Sequence, residues 1–208
     1  MLVKDLEFRA FDREVWVINL NGMSKENFRK FDRYEVADCA VCYAYIDHEQ
    51  GILFEVLSMG IRTDVDEFEM FDPNNSVRKG ISIESVMEQE CFNLEKEDIP
   101  QEFMWKIEYI DVVQKPSEEI EVMRDIDFID SCRNKVFPDD LEIYLLKDET
   151  MHPEKCWVRG EYLDFDKKCF VCTLLNEPYQ NYGCHEGDEI EVNMIEQGDD
   201  VVLIHQIL

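Results

Sequence analysis

Cysteine offers the sharpest chemistry in this sequence. Cys39-Ala-Val-Cys42 and Cys169-Phe-Val-Cys172 both have the C-x-x-C spacing that can hold zinc or run thiol–disulfide exchange. A zinc knuckle turns between its cysteines, and neither pair encloses Gly, Pro, Asn or Asp. Both pairs sit in β-rich runs, where residues three apart point to opposite faces, so one ion does not readily collect both thiolates. No helix opens at either pair, which argues against a thioredoxin-like arrangement. The pairs therefore read as buried structural thiols, which behave as small hydrophobes.

The other constellations are weaker. His152, Cys156, Cys184 and His185 could form a mixed Cys/His site, but loop histidines need no such role. Asp64, Asp66, Glu67 and Glu69 invite a calcium reading. An EF-hand loop needs glycine at its sixth position, and no glycine occurs from Asp64 to Asn75, so a solvated acidic face is expected. There is no G-x-S-x-G elbow and no Gly-rich phosphate loop, and the imidazole bases are limited to His48, His152, His185 and His205. No catalytic residue, metal ligand or cofactor is assigned, and a non-enzyme is expected. One polar loop stands out between glycine turns. Asn176, Glu177, Gln180, Asn181, Tyr182 and His185 are its candidate binding residues, because binding groups gather on loops carried by a rigid β scaffold. The same residue types also satisfy backbone groups at strand ends.

The elements around that loop are the most legible in the chain. Residues 156–163 and 169–175 are β-rich runs joined by the polar Asp164-Phe165-Asp166-Lys167, which predicts a hairpin. Pro178 ends the second run, having no N–H for a ladder. Gly187 can take positive φ where the chain turns back. From Asp188, Ile190, Val192 and Met194 alternate with Glu189, Glu191 and Asn193, the pattern of a half-buried strand. Residues 201–207 are apolar on both faces and predict a covered strand. Trp157-Val158 at a strand start, Leu174-Leu175-Asn176-Glu177-Pro178, and Gly183 with Gly187-Asp188 opening a strand resemble the small β domain of the uncharacterised bacterial YegJ-like family. Related domains occur among immunity-type proteins of bacterial toxin systems. The resemblance spans roughly residues 150–208, near the lower size limit for an independent core. Val201 to Leu208 stands where the family carries a tryptophan. It implies a small β domain and no catalytic residues.

Upstream, strands are expected over Glu14–Leu20, Val36–Ile46 and Ile52–Met59, the last two forming a hairpin with Gly51 in its turn. Ser24 and Ser82 are possible helix caps, the first for a helix to about Tyr34 with Phe28 and Phe31 on one face, the second for a helix to Phe92. Met104–Val113 alternates Trp105, Ile107 and Tyr109 against Lys106 and Glu108 and reads as a strand. Ser117 caps a helix carrying Ile120, Met123 and Ile126, with Glu118, Glu119 and Glu121 in its first turn. Leu141–Lys147 is a further strand. The polar stretch Lys147–Glu154, holding Pro153, is the best boundary. The whole is expected to be α+β: an antiparallel sheet with a few helices over 1–148, then a small antiparallel β domain over 149–208.

Charge decides the class of partner. The chain has 21 basic and 48 acidic residues, a formal net charge of −27. It repels polyphosphate, so direct nucleic-acid binding is not expected, while a basic protein would be drawn in. No apolar h-region follows a basic start, and the longest apolar run, Cys39–Ile46, is too short to span a bilayer. A cytoplasmic address with reduced cysteines and no membrane partner is the expectation. The leading functional reading is an acidic interaction protein of the immunity type holding a basic protein. The alternative is a small-ligand or metal-binding domain using the 176–188 loop, with a hydrolase using acidic catalytic residues third.

Overall fold

The computed structural model describes residues 1–64, 67–147, 151–198 and 200–207. The chain forms two compact units, Met1–Lys115 and Pro116–Leu208. It is mostly β, an antiparallel sheet in the first unit and a closed barrel in the second, which corrects the plainer α+β expectation. The boundary expected at 148/149 falls outside the described residues. The strand just before it already belongs to the barrel, because it pairs with strands from the far end of the chain.

In the first unit, β1 (Glu14–Asn19), β2 (Cys39–Asp47) and β3 (Gly51–Arg62) form an antiparallel core. Short β4 (Phe68–Met70) and β5 (Gly80–Ser82) pair with β3, and β6 (Cys91–Asn93) pairs with β1. Gly51 opens β3 at φ 73°, as the hairpin reading required. The core strands are buried nearly throughout, because both of their faces are covered. On one face Val15, Val17, Cys39, Val41, Tyr43 and Leu57 pack with Phe103, Ile107 and Ile110. On the other, Phe11 of a 3-10 turn packs against Trp16 in a tilted arrangement and against Phe54 edge to face, at 5.3 and 5.4 Å between ring centroids.

Three local expectations are corrected here. Met104–Val113 is α-helix (α1), not strand. Phe103, Ile107 and Ile110 recur at helical spacing and are buried, while Trp105 and Tyr109 face out. Ser82 forms no side-chain cap and heads only a 3-10 turn over Ile83–Ser85, after which Cys91–Asn93 takes the open edge of β1. Ser24 likewise heads a single 3-10 turn, Lys25–Phe28, although Phe28 and Phe31 are both buried.

The second unit begins with α2 (Glu118–Asp125), whose Ser117 hydroxyl accepts the Ile120 N–H as the sequence suggests. Five strands follow: β7 (Asp140–Leu146), β8 (Glu154–Asp164), β9 (Cys169–Leu174), β10 (Glu189–Gln197) and β11 (Asp200–Gln206). Each pairs antiparallel with the next. An odd number of alternating strands leaves the first and last pointing the same way, so β11 closes the barrel on β7 in parallel. The expected purely antiparallel domain is corrected at that seam. The interior holds Leu141, Ile143, Val158, Phe170, Cys172, Ile190, Val192 and Leu203. Met194, expected on the same inward face, is 39% exposed near the strand's end.

Two devices dock α2 on the barrel. Arg124 forms a buried two-point contact with Asp139, at 2.9 and 2.7 Å. Gly160 on β8 lets Met123 approach so closely that a Cβ there would lie 2.7 Å from the Met123 Cε. Arg133 adds a third tie, donating to the carbonyls of Pro138 and Ile126 at 2.7 and 3.2 Å.

Candidate functional site

The 175–188 loop links β9 to β10 at one end of the barrel. Gly183 and Gly187 take φ of 87° and 88°, a conformation glycine adopts without a Cβ penalty. The Asn176 Oδ1 accepts the Trp157 N–H at 2.7 Å and so splices the loop to β8. The Glu177 carboxylate accepts the Glu186 N–H at 3.0 Å and contacts the His185 Nδ1 at 2.7 Å. Gln180 donates through Nε2 to the His152 carbonyl at 3.1 Å, and the Tyr182 hydroxyl donates to the same oxygen at 2.5 Å. The Asn181 carbonyl accepts from Lys147 Nζ at 3.0 Å. The Glu154 carboxylate takes the N–H groups of Tyr179 and Gln180 at 2.6 and 3.2 Å.

The six sequence-derived candidates thus lie on one loop, but most of the polar atoms described for them are engaged in shaping it. Tyr182 is buried and anchors the loop, so it presents no surface for a ligand. Asn176 and Gln180 are half-buried, and Glu177, Asn181 and His185 are exposed. The residue that sequence reasoning missed is Tyr179, which follows Pro178 and stands 98% exposed at the tip. The only sequence sign was an aromatic ring inside a polar loop.

Glu177 and His185 form an exposed contact that is an ion pair when the imidazole is protonated. The Glu186 N–H and the His185 ring hold the Glu177 carboxyl below its usual range. The hydrogen bond it donates to Glu177 holds the His185 imidazole above its ordinary 6.5.

All eight cysteines are free and buried. Cys39 packs in the cluster beneath α1, whereas Cys42 sits opposite Trp16 on the other face of the sheet. Burial pushes the Cys39 thiol up to about 12 and the Cys91 thiol up to about 11. It drives Cys42 and Cys172 further in the same direction. These groups are protonated and shielded, the opposite of what a nucleophile or metal ligand needs. Cys156 and Cys184, from the mixed Cys/His idea, are part of the barrel core. Among the described residues no group of three or more His, Cys, Asp or Glu side chains is placed to hold a metal ion. Of the acidic run considered for calcium, Asp66 lies outside the described residues.

The first unit contains a charged centre the sequence did not reveal. Glu55, in the middle of β3, is buried beside the equally buried Lys106 of α1 at 3.1 Å. Arg78 Nε lies 3.2 Å from the same carboxylate oxygen, and the Lys79 N–H donates to it at 2.9 Å. Lys106 also donates to the carbonyls of Val56 and Val77, at 2.8 and 2.7 Å. Burial pulls the Lys106 ammonium below the usual lysine range, and Glu55 pulls against it. With three acceptors around its three protons, Lys106 is satisfied as a cation and works as a tether between α1, β3 and the 77–79 segment. Nearby, the Tyr43 hydroxyl donates to Asp111, tying β2 to the last turn of α1.

Comparison with protein families, curated proteins and solved structures finds no match.

The surface is dominated by carboxylates. Many cations are held by the chain's own acids: Lys4 by Glu88, Arg33 by Glu69, Arg62 by Glu90, Lys155 by Glu142 and Lys167 by Glu191. Since 48 acidic residues face 21 basic ones, this pairing still leaves a large excess of negative charge. Among the described residues no helix is long and apolar enough to cross a membrane.

Proposed function

We propose that this chain is a non-enzymatic acidic interaction protein that holds a basic protein partner, in the manner of the immunity-type proteins related to the YegJ-like family that residues 150–208 resemble. The observation that carries the reading is the unbalanced charge of −27, with cations engaged by the chain's own acids. A field of that sign draws in a basic protein and raises the rate of encounter. Charge of this kind steers and selects, while affinity comes from a few desolvated aromatic anchors. Tyr179, held out by a hydrogen-bonded loop on a rigid barrel, is suited to that role because its backbone is already ordered before contact. The same loop supports the small-ligand or metal-binding alternative less well, because many of its polar atoms are engaged with one another and with Lys147, His152, Glu154 and Trp157.

The test is a pull-down from the source cell at low salt with the full chain as bait, followed by salt elution. A basic protein that is released by salt, and whose toxicity on expression is suppressed by co-expression of this chain, is the expected result. Recovery of no partner at low salt would refute the reading.

A further inference from the structure

Helix α1 is apolar on two sides. Its inner side sends Ile107 and Ile110 into the sheet core. Its outer side carries Trp105, Tyr109, Val112 and Val113, at spacings of i, i+4, i+7 and i+8, which form one continuous stripe. These four side chains are 52, 49, 78 and 52% exposed. Single exposed hydrophobes are ordinary on a protein surface, but a contiguous stripe of this kind marks a contact surface.

The rim of the stripe holds two carboxylates and one ammonium. Glu102 and Glu108 are exposed on the same segment, and Lys115 is exposed just past its end. The helix's own lysine, Lys106, points inward to Glu55 and adds no cation to the rim. Arg78 lies 5.5 Å from the Tyr109 ring centroid, but its Nε is engaged by Glu55. An apolar stripe edged mostly by carboxylates is the complement of a segment with apolar side chains along one face and lysines or arginines beside them. A second copy of this chain is a poor occupant, because it would bring a like-charged rim from another molecule of net charge −27.

From this arrangement we infer that the outer stripe of α1 is the docking surface for an amphipathic basic segment of a protein partner, an inference that rests on the interaction reading above. Trp105 and Tyr109 are the anchors, and Glu102 and Glu108 orient the segment. A buried aromatic removes roughly 150–250 Å² from water. The stripe is therefore an anchor within an interface rather than the whole of one.

The test uses two synthetic 18-residue helical peptides against the full chain. One carries leucines on one face and lysines on the other; its control has the same lysines with serines for leucines. The leucine peptide should bind at low salt and move Trp105 fluorescence to the blue. The double substitution Tyr109→Ser and Val112→Ser should weaken it at least tenfold. The control peptide should bind both proteins weakly and equally. In the unsubstituted chain, hydroxyl-radical footprinting at Trp105 and Tyr109 should fall on addition of the leucine peptide, which keeps the test independent of how the variant folds. If the leucine peptide gains nothing over its control, or the substitutions leave its affinity unchanged, the stripe is not the docking surface. If neither peptide binds at low salt, the basic-partner reading fails with it. A Trp105 shielded from acrylamide in the free chain, or a concentration-dependent dimer abolished by the double substitution, also overturns the proposal.

Discussion

Lys106→Met is the most informative single change in the first unit. Methionine keeps the length and apolar stem of the side chain and removes only the ammonium. Glu55 is then left 2% exposed without its buried partner. Breaking a buried pair by removing one charge costs about 3–5 kcal/mol, because the remaining charge stays buried. Two features hold the loss near the lower end. The Glu55 carboxylate keeps Arg78 Nε at 3.2 Å and the Lys79 N–H at 2.9 Å. Against this, the Val56 and Val77 carbonyls lose a donor, which adds up to about 1 kcal/mol each and overlaps the first term. The expected destabilisation is about 3 kcal/mol. Glu55→Leu alone strands the Lys106 cation and should cost a similar amount. The double variant removes both charges, and Arg78, 43% exposed, can turn to water. It should therefore cost clearly less than the sum, with a coupling of at least about 1.5 kcal/mol. The assay is urea unfolding followed by tryptophan fluorescence in a Trp157→Phe background, so that Trp16 and Trp105 report on the first unit alone. A loss below about 1 kcal/mol for Lys106→Met, or additivity within about 0.5 kcal/mol, would refute the view that this buried pair fastens α1 to β3.

Other outcomes follow from local features. Glu177 sits below its usual range and His185 above its own, so their mutual stabilisation is lost as pH falls through the Glu177 value and as it rises through the His185 value. It is fully present between about pH 4.5 and 6.5, the two ordinary values. NMR titration should place His185 above 6.5, and Glu177→Gln should bring it back toward 6.5. Gly60→Ala should destabilise more than Gly160→Ala in urea unfolding. A Cβ at Gly60 meets the Glu69 backbone carbonyl at 2.8 Å, whereas at Gly160 it meets the mobile tip of Met123 at 2.7 Å. Overpacking of this kind costs about 1–3 kcal/mol, with Gly160→Ala at the lower end. Ser117→Ala removes the acceptor of the Ile120 N–H and should cost about 1 kcal/mol, measured by thermal unfolding. Native protein should react with a thiol reagent at none of its eight buried cysteines until denaturant is added.

Some elements were determined by the sequence because their causes are local. The alternation from Glu189 onward, the chain reversal at Gly187 and the cap at Ser117 each depend on a few neighbouring residues and on allowed backbone angles. The candidate loop was located for the same reason, although the exposure of Tyr179 and the burial of Tyr182 were not. Tertiary structure decided what depends on distant partners. Met104–Val113 is apolar on two sides, so periods of 2 and 3.6 both fit it, and the burial of Phe103, Ile107 and Ile110 settles which holds. Glu55 reads as an isolated charge in an apolar strand until Lys106, Arg78 and Lys79 are brought to it. The barrel seam, β11 parallel to β7, joins strands separated by the rest of the domain, and only closure of the whole meander fixes it.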